Sequence, residues 1–149
     1  MSAQPHRILV VANRTCPCPA LLEDVARRAQ DRSPSEVLIV APALNSRLRH
    51  YVSDVDAAVA EARGRLELAL DGLDVLGQQA EGQIGDSDPY VAIADALAAF
   101  PAAEIVVSTL PPGQSNWLER GLIERAGRDF DVPIVHLVSR YGMAASAAA

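Results

Sequence analysis

An α/β fold built on a parallel sheet is predicted by three observations on this sequence. Short apolar runs recur at residues 7–12, 36–41, 104–109 and 133–138, with a weaker strand candidate within 75–84. Longer segments with apolar residues three and four positions apart separate them, which is the period of crossover helices. The first run, Arg7 to Ala12, shows no polar alternation, as a strand covered on both faces requires.

Taken in order, Arg-Ile-Leu-Val-Val-Ala at 7–12 reads as the first strand. Cys18-Pro19 then opens a helix with proline at its first position, and Leu21, Leu22, Val25, Ala26 and Ala29 supply the apolar face. Glu-Val-Leu-Ile-Val-Ala at 36–41 is the second strand. Ser53 and Asp56 are spaced as in a loose capping box, and the stripe Val59, Ala62, Leu66, Ala69, Leu70 and Leu73 continues as a long helix. A weaker third strand falls within 75–84. Gly85-Asp86-Ser87-Asp88-Pro89 combines a turn, a cap and a first-turn proline, and Tyr90, Ile93, Ala94, Leu97 and Phe100 carry the third helix. Glu-Ile-Val-Val-Ser-Thr at 104–109 is the fourth strand. After a loop at 110–115, Asn116 and Glu119 open the last helix, whose stripe is Trp117, Leu118, Leu122, Ile123 and Ala126. Pro-Ile-Val-His-Leu-Val at 133–138 closes the pattern as the fifth strand. No repeat and no boundary interrupts it, so residues 1–149 read as one domain, ordered over 6–139 with a flexible tail at 140–149.

Composition narrows the function. Half of the 149 residues are hydrophobic but only 4% are aromatic, so the core must be built from Ala, Val, Leu and Ile. No apolar run reaches bilayer length, and the first one, at 8–12, is too short for a secretory signal, so a cytoplasmic location away from membranes is expected. The net charge is −6 and all 13 basic residues are Arg. An acidic chain without a basic stripe is not expected to bind nucleic acid. Without lysine, neither a P-loop lysine nor a Schiff base is available.

Three stretches carry a resemblance: Arg-Ile-Leu-Val-Val-Ala-Asn at 7–13, Gly-Asp-Ser-Asp-Pro-Tyr-Val-Ala-Ile at 85–93, and the closing part from Ile-Val-Val-Ser-Thr at 105–109 to Val-Pro-Ile-Val-His-Leu at 132–137. Together they resemble the universal stress protein family over residues 6–139. The resemblance implies a Rossmann-like, five-stranded parallel sheet ordered 3-2-1-4-5 with four helices. It also implies a homodimer through the last strand, here Ile134–Val138, and a ligand crevice between the loops after strands one and four. ATP-binding members of that family carry a glycine, two residues, a second glycine, nine residues, then glycine followed by Ser or Thr. Those glycines let backbone N–H groups approach the phosphates, and the next helix offers its N-terminus to the anion.

On this chain the matching positions are Ser108, Pro111, Gly121 and Leu122. Ser108 adds a Cβ, Pro111 and Pro112 each remove an N–H, and Leu122 replaces a hydroxyl with an aliphatic group. Only Gly121 is retained, and Asn13 stands where the family has an Asp. ATP and AMP are therefore disfavoured ligands in this reading, and no cofactor is expected. The crevice candidates are Ala12, Asn13 and Arg14 after strand one, Ala41 at the end of strand two, Ser108 and Thr109 at the end of strand four, and Gly113, Gln114, Ser115, Asn116 and Gly121 beyond it. Gly113 to Asn116 form the best remaining anion site, because their backbone donors precede a helix.

Other motifs point less far. Cys16 and Cys18 flank a proline beside the crevice, but a lone C-x-C lacks the four ligands of a structural zinc site, and no metal is assigned. His6, His50 and His136 do not converge; alternation puts His136 on one face with Ile134 and Val138 as a packed or interface residue. No nucleophile elbow, metalloprotease pair or dinucleotide fingerprint occurs, and no catalytic residue is assigned. The leading expectation is a non-catalytic regulatory or interaction dimer with an altered nucleotide crevice, open to a small-molecule ligand. The alternatives are an ATP- or AMP-binding stress protein using the loop after strand four, and a thiol redox protein using Cys16 and Cys18.

Overall fold

A computed structural model of the chain describes residues 4–12, 18–43, 52–109 and 121–138, with residues 52–55 described by their backbone alone. Strands β1 (His6–Val11), β2 (Ser35–Pro42), β3 (Glu81–Gly85), β4 (Glu104–Thr109) and β5 (Ile134–Val138) alternate with helices. Those helices are α1 (Pro19–Asp31), α2 (Val52–Val75), α3 (Pro89–Ala99) and α4 (Leu122–Asp129). All strand pairs are parallel and the order is β3-β2-β1-β4-β5. The sheet and the four helices among the described residues thus take the arrangement that the resemblance implies.

Strand alternation divides the core into two layers. Ile8, Val10, Val37, Ile39 and Val106 face α1 and α2, where they meet Leu21, Val25, Leu66 and Leu73. Leu9, Val11, Leu38, Val40, Ile105 and Val107 face the other way, against Ala92, Ile93 and Ala96 of α3 and Leu122 of α4. Ile8, Leu9, Ile39 and Ile105 are at most 1% exposed, and burying such a side chain stabilises the fold by about 1.5–3 kcal/mol. Small residues let the layers approach closely. A Cβ on Gly85 would lie 2.8 Å from both Ala92 Cβ and Val40 Cγ1, so α3 rests directly on the end of β3.

The helix ends follow from local chemistry. Asp88 is the N-cap of α3, its carboxylate accepting from the Tyr90 N–H at 3.0 Å, with Pro89 in the first turn. The expected face of α1 is the buried one: Leu21, Leu22, Val25, Ala26 and Ala29. Tyr90 joins α3 to α4: its hydroxyl donates to Asp129 Oδ2 at 2.8 Å, and its ring stacks on Phe130 with centroids 5.0 Å apart. The Asp129 contact lifts the Tyr90 phenol above its ordinary value and lowers the Asp129 carboxyl.

Four expectations need correction. The third strand is confined to Glu81–Gly85, because α2 continues through Val75 and Gly85 pairs with Pro42. The α2 helix begins at Val52, so Ser53 falls inside its first turn rather than ahead of it. Of the α2 stripe, Val59 and Leu70 are only half-buried, and Ala58 takes the buried place before Ala62. The last helix does not run unbroken from 116 to 126: Gly121 has φ +67°, a left-handed conformation that no α-helix continues through. The helix start at Asn116 and the residues Trp117 and Leu118 lie outside the described residues, as does the tail at 140–149.

Candidate crevice at the carboxyl ends of the strands

Strand order reverses between β1 and β4, and in open parallel sheets ligands settle beyond the carboxyl ends of the strands at that point. Of the residues expected there, Ala12, Ala41, Ser108, Thr109 and Gly121 are described; Asn13, Arg14, Gly113, Gln114, Ser115 and Asn116 lie outside the described residues. The structure brings the described strand-end residues together. Ala12 follows β1 and donates its N–H to the Val40 carbonyl at 2.9 Å, while Ala41 stands in β2, and both are fully buried. Their methyl groups lie on the α1–α2 side of the sheet.

The last two residues of β4 point to opposite faces. Ser108 is 1% exposed and, with Cys18, Leu21, Asp24, Leu137 and Val138, lines a cavity of about 330 Å³ between α1 and the β4–β5 edge. Thr109 points to the α3–α4 side, where its Oγ1 lies 2.6 Å from His136 Nε2. Partial burial holds the His136 imidazole below its ordinary value, which favours the neutral ring. His136 is therefore a packed histidine tied to the end of β4. Gly121 precedes α4, and Leu122 beside it is buried in the α3–α4 core layer.

Cys18 is a buried free thiol at the N-cap position of α1, making no capping hydrogen bond through its side chain. Its proposed redox partner Cys16 lies outside the described residues. Among the described residues no group of three His, Cys, Asp or Glu side chains is placed to hold a metal ion.

Sequence reading missed Arg65. This residue of α2 is 8% exposed, and its two terminal nitrogens donate to the Ala12 carbonyl at 3.2 Å and the Pro42 carbonyl at 3.0 Å. A signal for it was present. Arg65 stands three residues after Ala62 and four before Ala69, both fully buried, so it lies inside the apolar stripe and between two side chains small enough to admit a guanidinium.

A larger cavity of about 500 Å³ lies at the opposite end of the sheet, where Glu36, Asp71, Asp74 and Glu81 contribute to its lining. It opens at the amino ends of β2 and β3, away from the strand-order reversal, and among the described residues no polar side chain buried to nine-tenths lines it. The crevice at the carboxyl ends is the better candidate for a ligand site.

No protein-family model matches the chain, and no curated protein matches it in sequence. Its fold is that of solved universal stress proteins. The structure of the universal stress protein from Archaeoglobus fulgidus in complex with dAMP is similar at TM-score 0.62 and 19% identity, over 88% of this chain and 96% of that one. A universal stress protein in complex with cAMP is similar at TM-score 0.63 and 16% identity, over 90% and 98%. A universal stress protein family protein from Arabidopsis thaliana with AMP bound is similar at TM-score 0.63 and 14% identity, over 93% and 95%.

Proposed function

We propose that this chain is a non-catalytic, universal-stress-type regulatory protein whose crevice takes an adenine nucleoside monophosphate. The observation that carries the reading is the convergence of Ala12, Ala41, Ser108 and Thr109 at the carboxyl ends of β1, β2 and β4, in a fold whose solved relatives hold dAMP, cAMP and AMP. The substitutions at Ser108, Pro111, Pro112 and Leu122 bear on the phosphate cradle. A triphosphate needs the full row of backbone donors, whereas a monophosphate makes fewer such contacts and depends less on the lost glycines. This modifies the expectation of no cofactor: a monophosphate is favoured over ATP.

The same proposal includes a homodimer through β5. That strand is an edge of the sheet, and its side chains are half-buried or exposed, while those of β4 are buried from Ile105 onward. An edge strand of this kind presents unpaired backbone groups to a second copy. No charged residue occurs in Ile134–Val138 to discourage such pairing.

Calorimetric titration with AMP and ATP, with and without magnesium, tests the ligand assignment. Micromolar AMP binding with ATP at least about tenfold weaker, a difference of roughly 1.4 kcal/mol, supports it. Absence of heat with either nucleotide, together with an unshifted melting temperature, removes the nucleotide from the account.

A further inference from the structure

We propose that the groove at the amino ends of β2 and β3 is a docking surface for a basic segment of a partner protein, one that carries arginine or lysine beside an apolar side chain. The groove lies at the far end of the sheet from the crevice, so the proposal stands apart from the nucleotide reading.

The groove combines two chemistries. Val37, Leu70 and Phe100 give its lining apolar surface, while Glu36, Asp71, Asp74 and Glu81 give it carboxylates. Val75 and Leu76, between the lining residues Asp74 and Gln78, are 85% and 38% exposed. Large apolar side chains left in water beside a partly apolar groove mark a surface that a protein partner covers. The backbone here is held in place. Gly77, at φ +81°, donates its N–H to the Asp74 carbonyl at 3.0 Å, and the Gln78 N–H donates to the Leu73 carbonyl at 2.9 Å, which closes the end of α2. Gln30 of α1 donates from Nε2 to the Leu76 carbonyl at 3.2 Å.

Charge complementarity identifies the occupant. Asp71 and Asp74 stand one turn apart near the carboxyl end of α2, where the helix dipole favours cations, and no basic residue occurs in its last turn. Among the described residues no ion pair engages Asp71, Asp74 or Glu81, and Glu36 has only the Arg7 guanidinium at 3.5 Å. These carboxylates repel one another and the helix end, a cost that folding alone does not explain. A cation brought by a partner offsets that repulsion, and an apolar neighbour on the same segment covers Val75 and Leu76. A second copy of this chain fits poorly, because a two-fold pairing at this end would set the carboxylates against their own counterparts. The same charges repel nucleic acid and anionic lipid.

The test uses the full chain and a fluorescein-labelled peptide, Gly-Arg-Leu-Arg-Arg-Leu-Arg-Gly, with a second version in which serine replaces leucine. Affinity is read by fluorescence anisotropy and the contact is located by backbone NMR. The leucine peptide should bind, with shifts centred on residues 74–81, and the serine version should bind at least about threefold more weakly. Asp71→Asn combined with Asp74→Asn should weaken the leucine peptide at least about fivefold. Asp95→Asn combined with Glu124→Gln, an equal change of charge at exposed positions of α3 and α4, should alter it less than about twofold. Val75→Ser should remove the advantage of leucine over serine. Asp74→Lys should weaken binding while raising the melting temperature, which separates a lost contact from a damaged fold. Equal losses from the two charge pairs, or equal affinity for the two peptides, overturn the proposal. Full displacement of the peptide by spermidine at equal concentration also overturns it, in favour of a small polycation. Self-association abolished by the Asp71→Asn and Asp74→Asn pair overturns it in favour of a second copy.

Discussion

The hydroxyl of Thr109 and the Nε2 of His136 lie 2.6 Å apart, joining the last residue of β4 to the middle of the edge strand β5. Thr109 is fully buried and His136 is half-buried, so the contact is largely shielded from water. Burial depresses the folded-state His136 pKa. As pH falls through the ordinary histidine range, the unfolded chain therefore takes up a proton that folded His136 resists. Stability is complete above the ordinary value and declines as pH drops towards the depressed one. Thermal melts between about pH 7.5 and 5.5 should show a larger fall for wild type than for His136→Gln. Parallel curves for the two proteins would remove His136 as the source.

Leu137 and Val138 are neighbours with opposite duties. Leu137 packs against the α1–α2 core layer, while Val138 is 43% exposed at the end of β5. Leu137→Asp should destabilise the fold by about 2–4 kcal/mol in urea titrations, because it buries a carboxylate in that layer. Val138→Asp should change stability by no more than about 0.5 kcal/mol but should weaken self-association measured by sedimentation. A charge at Val135 or Leu137 would bear on folding before it bore on any dimer. Both side chains pack into the α1–α2 layer, so their loss acts first on folding.

Two glycines should answer oppositely to the same change. Gly85→Ala brings a Cβ within 2.8 Å of Ala92 Cβ and Val40 Cγ1, which should lower stability by about 1–3 kcal/mol. Gly64→Ala on α2 meets no heavy atom within 4 Å and should raise stability by roughly 0.5–1 kcal/mol through helix propensity. Denaturant midpoints of the two variants on either side of wild type are the expected pattern.

Removing the cap of α3 should have a moderate and local effect. Asp88 accepts from the Tyr90 N–H at 3.0 Å, and Asp88→Ala should lower stability by about 1 kcal/mol. Asp88→Asn, which keeps the acceptor, should recover most of the loss. A melting temperature unchanged in Asp88→Ala would mean that Pro89 alone holds the helix start.

Much of the fold was legible because its signals are local. The strand at Glu104–Thr109 and the buried face of α1 follow from runs and periods that tertiary contacts do not alter. The third strand was harder to delimit: Glu-Gly-Gln-Ile-Gly is short, polar and edge-placed, and its pairing with β2 rather than its composition makes it a strand. The interruption at Gly121 was hidden, since a glycine within an apolar period reads as a tolerated helix residue until its φ is known.

The site was legible only in outline. Strand ends single out Ala12, Ala41, Ser108 and Thr109 as candidates, because open parallel sheets take ligands at the strand-order reversal. Arg65 escaped because it lies on α2 and reaches the crevice through the fold, 53 residues from Ala12 in sequence. The pairing of Thr109 with His136, 27 residues apart, depends on the β4–β5 register in the same way.

The measurement that tests the central claim most directly is backbone NMR of isotope-labelled protein titrated with AMP. The account predicts perturbations concentrated at the amides of Ala12, Ala41, Ser108, Thr109 and Gly121, with Glu36, Asp74 and Glu81 at the opposite end of the sheet unmoved. Saturable shifts centred on those acidic residues, or none anywhere at millimolar AMP, would contradict it.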